Sequence, residues 1–207
     1  GFADLSPWRV EGPFDSSYSL ALVNREFAAA LDACGVDVAL HSTEGPGDFE
    51  ADALFLAAHP SVAALHQKAA DIAPTDAAVL SRNLYPPRVA DMPQRADRQG
   101  KVNSLHCWGW EESAVPAQWV ADFNAHLTGI TTMSQFVSKA LIDAGVTVPV
   151  AVAGIGVDHW LRVTPDPSYI VSQPLKAFVF LHVSSCFPRK GVDVLLEAYG
   201  QAFTGDD

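Results

Sequence analysis

"ALDACGVDV" (residues 30–38) and "ALIDAGVTV" (residues 140–148) share one pattern: a helix ends, a glycine stops it, and an apolar strand begins. Upstream of the first copy, Leu20, Val23, Phe27 and Leu31 recur at spacings of three and four, which places them on one helical face. Asp15, Ser16 or Ser17 could cap that helix, Gly35 suits its left-handed end, and "VDVAL" reads as a buried strand. Upstream of the second copy, Ser134 is the expected N-cap and Gly145 the stop. Further strands are expected near 8–11, 53–57, 77–80, 102–107 and 129–133, with a short helix near 117–123. Strands and helices that alternate in this way predict an α/β fold, a Rossmann-like doubly wound parallel sheet with helices on both faces. Ligands of such sheets sit at the carboxyl ends of the strands, where "EGPFDSSY" (11–18), "LHCWGWEES" (105–113) and "TMSQ" (132–135) fall.

The composition agrees with a packed domain. The 207 residues are 49% hydrophobic and 18% charged, enough apolar material to exclude disorder. A net charge of −11 argues against nucleic acid as a partner, because phosphates would be repelled. Five of the thirteen basic residues, Arg82, Arg88, Arg95, Arg98 and Lys101, nevertheless fall in "SRNLYPPRVADMPQRADRQGK" (81–101). That stretch is either a solvated loop or a surface for an anionic lipid or a phosphorylated acceptor. Cys34, Cys107 and Cys186 are odd in number and lack CxxC spacing, so neither disulfides nor a zinc site is expected. With no membrane-span-like stretch and no signal peptide, the expected location is cytoplasmic, with peripheral contact at the inner membrane face as an extension.

After "VPVAVAGIGVDH" (148–159) the alternation breaks. "WLRVTPDPSYIVSQPLKA" (160–177) carries three prolines and reads as a linker. "FLHVSSCFPRKGVDVLLEAYGQAF" (180–203) then reads as strand, turn and helix, with Val192, Leu195, Leu196, Tyr199 and Phe203 as a buried stripe. Pro188 suits the helix start. Arg189 and Lys190 beside that start oppose its dipole, at about 0.3–1 kcal/mol each. Either solvent screens them or an anion sits there. A dehydrogenase would need GxGxxG after its first strand and a P-loop kinase GxxxxGK[ST]; the chain has neither.

"RKGVDVLLEAY" behind an apolar strand resembles the start of the C-terminal domain in retaining glycosyltransferases of the GT-B fold, most of all their large fourth family. "EGPFDSSYSLALVNREFAAALDACGVDVAL" is similar to that family's first glycine loop and helix. "WGWEESAVPAQWVADFN" with "ITTMSQFVSKALIDAGV" resembles its cleft-lining stretch, and "VAVAGIGVDHW" the turn before its domain crossing. The resemblance implies an acceptor-binding Rossmann-like domain over 1–163, then a linker and the first strand–helix unit of a second, nucleotide-sugar-binding domain over 164–207. It implies transfer of a sugar, with retention, from a nucleotide-sugar to a glycan or lipid-linked acceptor in bacterial surface polysaccharide synthesis. The nucleotide-sugar is then a co-substrate, and no metal or other cofactor is expected. Lys190 stands at the family's diphosphate-binding lysine, with Arg189, Ser184 and Gly12 as further diphosphate contacts. Ser17, Tyr18, Trp108 and Trp110 become acceptor-binding candidates, and His106 and Glu111 catalytic ones. Taken alone, Gly12 could equally be a turn glycine, and His106 a satisfied structural residue. The family's second cation, an arginine, is absent from "HVSSC" (182–186), where Ser184 or Ser185 stands instead. Its paired glutamates have no counterpart after Phe203, so the chain is expected to be an N-terminal portion, inactive alone. The rival reading is a non-catalytic α/β binding module for a sugar or phosphorylated ligand.

Overall fold

A computed structural model of the chain describes residues 5–169 and 178–204. Its contacts divide the chain into Gly1–Arg162 and Val163–Asp207. Within the first unit, six parallel strands are arranged in the order β2-β1-β5-β6-β7-β8. They are β1 (Trp8–Glu11), β2 (Val38–His41), β5 (Val79–Arg82), β6 (Val102–Trp108), β7 (Gly129–Thr132) and β8 (Val150–Val152). A small antiparallel hairpin, β3 (Thr43–Glu44) and β4 (Gly47–Asp48), follows β2.

The register shows how alternation sorts side chains between the faces. Val10 pairs with Leu40 and Ser81, and Glu11 with His41 and Arg82. Trp8, Val10, Val38 and Leu40 therefore share one face, and Arg9, Glu11, Leu80, Arg82 and Leu105 the other. On the first face Val10, Val38 and Leu40 pack with Ala28 and Leu31 of α1 (Ser19–Ala33) and with Val62 and Leu65 of α3 (Pro60–Gln67). On the second, Leu80 and Leu105 pack with Val120 and Phe123 of α4 (Ala117–His126). The sheet is doubly wound.

Both copies of the opening pattern close in one way. Gly35 (φ 80°) and Gly145 (φ 98°) are left-handed, and the next residue's N–H returns to a last-turn carbonyl, Val36 to Leu31 and Val146 to Leu141. That double closure satisfies carbonyls a helix end would otherwise leave unpaired. Ser134 caps α5 (Gln135–Asp143), its hydroxyl accepting the Val137 N–H at 3.3 Å.

Other expectations are corrected. Residues 53–58 form helix α2 (Ala53–Ala58), because Asp52 accepts the Phe55 N–H at 2.7 Å and nucleates a helical turn where a strand was expected. No side chain caps α1: its N-cap is Tyr18, and Asp15 instead accepts the Asp52 N–H at 2.8 Å. The buried face of α1 is Ala21, Asn24, Ala28 and Leu31, one residue round from the expected stripe. Small alanines let the helix backbone approach the sheet, leaving Leu20, Val23 and Phe27 at the margins.

The second unit is described by itself. Residues 188–190 form one 3-10 turn, left-handed Gly191 (φ 63°) follows, and α6 spans Val192–Ala202. The expected strand near 180 is absent among the described residues. A strand exists by its ladder, and none pairs with this stretch here. Leu195, Leu196, Tyr199 and Phe203 of the α6 stripe are correspondingly exposed and Val192 is half-buried, although Phe180 touches Tyr199 and Phe203 at ring distances of 5.9 and 5.5 Å. Residues 170–177 of the expected linker lie outside the described residues. No helix among the described residues is long and apolar enough to cross a membrane.

Candidate functional site

β1 lies between β2 and β5, so the chain winds away from it in both directions, which makes the carboxyl ends of these strands the switch point where sheets of this kind place their ligands. The carboxyl ends of β1 and β5 are Glu11-Gly12 and Arg82-Asn83. Glu11 is 1% exposed, and both its carboxylate oxygens are used: Arg9 Nε donates to one at 2.8 Å, Arg82 Nε to the other at 2.6 Å. Arg9 also donates to the carbonyls of Ala69 and Ile72 at 2.8 and 2.7 Å. Arg82 continues to the Arg88 carbonyl at 2.5 Å and to Asp91. Burial disfavours the Arg82 cation, yet Glu11 and Asp91 outweigh it and raise its pKa. Burial likewise pushes Asp91 up, but Arg82 and Arg88 together hold it below the usual carboxylate range.

On the other face a neutral network does similar work. Asn24 Nδ2 donates to the carbonyls of Pro13 and Asn83 at 2.8 and 2.9 Å. Its Oδ1 must therefore accept, and the donor is His106 Nε2 at 2.9 Å. That fixes the proton on Nε2 and leaves buried Nδ1 without a partner among the described residues. The ring stacks on Phe27 at 4.5 Å. His106 is 1% exposed, and burial pulls its pKa down to about 3. Expected as a catalytic candidate, it contacts Asn24 and Phe27 of α1 in the interior of the fold. Gly12 is explained by the same network. A Cβ there would lie 2.5 Å from the Asn83 carbonyl oxygen and closer still to the Asn24 amide, so a glycine is required without any phosphate nearby.

At the end of β6 the ladder slips. Leu105 pairs with Ile130 but Trp108 with Thr132, three residues against two, and Cys107 at the extra position is left-handed (φ 47°). This bulge puts His106 on the α1 face and Trp108 on the opposite one, against Phe123 at 5.5 Å. Cys107→Gly is expected to be near neutral, since relief of about 1 kcal/mol of backbone strain offsets the lost side chain. Cys107→Val should cost about 2 kcal/mol or more, because a β-branched residue resists that conformation. Urea midpoints of the two variants check the ordering.

Trp108, expected as an acceptor contact, is 3% exposed and belongs to the core. Trp110, half-buried, stacks on it at 5.8 Å with planes 6° apart. Glu111 and Ser17 are exposed, and the Tyr18 hydroxyl donates to Glu44; burial and that carboxylate raise its pKa. In the second unit Ser184 Oγ accepts the Cys186 N–H at 3.1 Å in a local turn, and Arg189 and Lys190 are exposed in the turn before α6.

The basic stretch is mostly spent inside the fold. Arg98 is buried and donates to the carbonyls of Ala77 and Val102 at 2.9 and 3.2 Å, Lys101 reaches the Thr75 carbonyl at 2.6 Å, and Arg88 pairs with Asp91 at 2.5 Å. Only Arg95 of the five lacks such a described tie.

A separate hollow of about 450 Å³ is lined by His41, His66, Gln67, Ala69 and Ala70. No group of three or more His, Cys, Asp or Glu residues able to hold a metal ion occurs among the described residues. The polar anchors Asn24, Asn83 and Glu11 escaped the sequence analysis, although Asn24 interrupts the apolar face of its helix and Arg9 and Glu11 alternate in a strand. No family model, curated protein or solved structure matches the chain.

Proposed function

We propose that the chain carries the acceptor-binding domain of a retaining glycosyltransferase together with diphosphate-binding elements of its nucleotide-sugar domain. The observation that carries this reading is the start of α6. Its N-cap, Gly191, provides no side-chain cap, and Arg189 and Lys190 immediately precede it. Uncapped N–H groups beside two cations suit a diphosphate, and the same groups would stabilise charge on that diphosphate as it leaves. Asp193 shares the first turn, so most of the attraction falls to the two cations. A doubly wound sheet with its switch point at β1 is the companion feature, since ligands of such sheets sit at the carboxyl ends of the strands. Glu111, exposed beyond the end of β6, is the carboxylate assigned to the acceptor hydroxyl. Retention and a role in bacterial surface polysaccharide synthesis are carried by the sequence resemblance alone.

Lys190→Ala is expected to weaken binding of uridine or guanosine diphosphate about tenfold, read by calorimetric titration. Equal affinity in the variant would remove Lys190 from this role. A second reading, a non-catalytic sugar-binding module, is favoured by the aromatic side chains around Trp110. Sugar binding without any nucleotide binding would select it.

A further inference from the structure

Aromatic residues of α4 and of the carboxyl ends of β5 and β6 form a ladder from the core to the surface. Phe123 and Trp108 anchor it. Trp119 meets Trp110 edge-on at 5.3 Å and Tyr85 at 5.8 Å, and Tyr85 is 61% exposed. The loop that presents Tyr85 is braced on both sides. Arg82 holds the Arg88 carbonyl, and Arg88 in turn donates to the Glu44 carbonyl at 2.5 Å and to Thr43 Oγ1 at 3.2 Å. Gly45 packs so close that a Cβ there would lie 2.8 Å from the Tyr85 carbonyl oxygen. Val89 and Met92 pin the loop's far end in the core. A large ring held at the surface by a buried ion-pair lattice is ready for a ligand and loses little freedom on binding one.

We propose that Tyr85, Trp119 and Trp110 form a stacking platform for a neutral sugar ring. The C–H face of a pyranose lies flat on an aromatic ring, while its hydroxyls need acceptors at the margin. Glu111 and Glu112, both exposed directly after Trp110, supply carboxylates. Four of the five cations of residues 82–101 are turned to partners within the fold, as described above, so a phosphorylated ligand finds acidic groups where it would need basic ones. As the acceptor site of a transferase the platform rests on the reading above; as a sugar-binding surface it stands or falls separately.

The test is saturation-transfer NMR on the full chain with two neutral hexasaccharides, one of glucose and one of mannose. At least one is expected to receive saturation on its ring C–H protons. Tyr85→Ala should weaken its binding about tenfold, and Tyr85→Phe, which keeps the ring, should retain most of it. Binding of neither sugar, equal binding by Tyr85→Ala, or tighter binding of tetramethylammonium would each overturn the platform; the last would point to a cation cage. Calorimetry with uridine diphosphate runs alongside. Sugar binding without nucleotide binding leaves the platform standing and removes the transferase, and the converse removes the platform alone.

Discussion

Glu11→Gln is expected to cost about 3–5 kcal/mol of folding stability, the range for breaking a buried ion pair from one side. The carboxylate serves two guanidinium groups at once, and both are themselves buried. Glutamine is similar in shape but neutral, so it would leave both cations without their shared counter-charge. Its amide nitrogen would also face a donor. The loss should appear as a lower urea midpoint with an unchanged m-value, since the fold's buried area stays the same. A loss under about 1 kcal/mol would mean that the guanidinium groups find other partners, and the lattice that braces the Tyr85 loop would need another explanation.

Acid should weaken the protein well before its carboxylates titrate. His106 has a folded pKa of about 3, against roughly 6.5 for an unfolded histidine. The unfolded chain therefore binds an extra proton between those values, and stability falls as pH drops below about 6.5. The slope is about 1.4 kcal/mol per pH unit, which amounts to about 2 kcal/mol by pH 5 and about 4 kcal/mol near pH 3. His41 acts in the same direction, because burial and Arg9 lower its pKa. Asp91 and Asp48, both held below the usual carboxylate range, add a further loss only at lower pH, as they protonate. Urea denaturation at pH 7 and pH 5 reads the difference, and His106→Gln, which can still donate to Asn24, should flatten it. Equal stability at the two pH values, or an unchanged slope in the variant, would show that the ring is not held neutral by burial. If the variant fails to fold, an NMR titration of the His106 ring gives the same answer directly.

The alternation of helix and strand was legible because glycine closure is a local event: the contacts of Gly35 and Gly145 lie within five residues of each helix end. Residues 53–58 were misread because a run such as "ALFLAA" has no period, and only the Asp52 cap decides for a helix. The face of α1 was displaced because alanines carry almost no hydrophobic signal, yet they permit the closest packing. Candidate site residues fared worse for a different reason. His106 and Trp108 sit two apart in a strand, so alternation predicts one shared face, and nothing in "HCW" announces that a cysteine will take a left-handed turn between them. The basic stretch misled because charge in a sequence says nothing about direction, and these side chains turn inward to carbonyls that the 3-10 turns and loops leave unpaired. Tyr85 and Trp119 lie thirty-four positions apart, and only the fold makes them neighbours.

The extra residue at Cys107 makes β6 answer to two masters. Up to His106 its side-chain phase is slaved to the layer containing α1, and from Trp108 onward to the layer containing α4. The tryptophan-rich loop thus inherits its orientation from a backbone dislocation, much as a screw thread restarted half a turn late still advances but points the slot the other way. A lineage that kept that residue but straightened the strand around it would carry the same tryptophans, in the same order, facing the wrong side of the molecule.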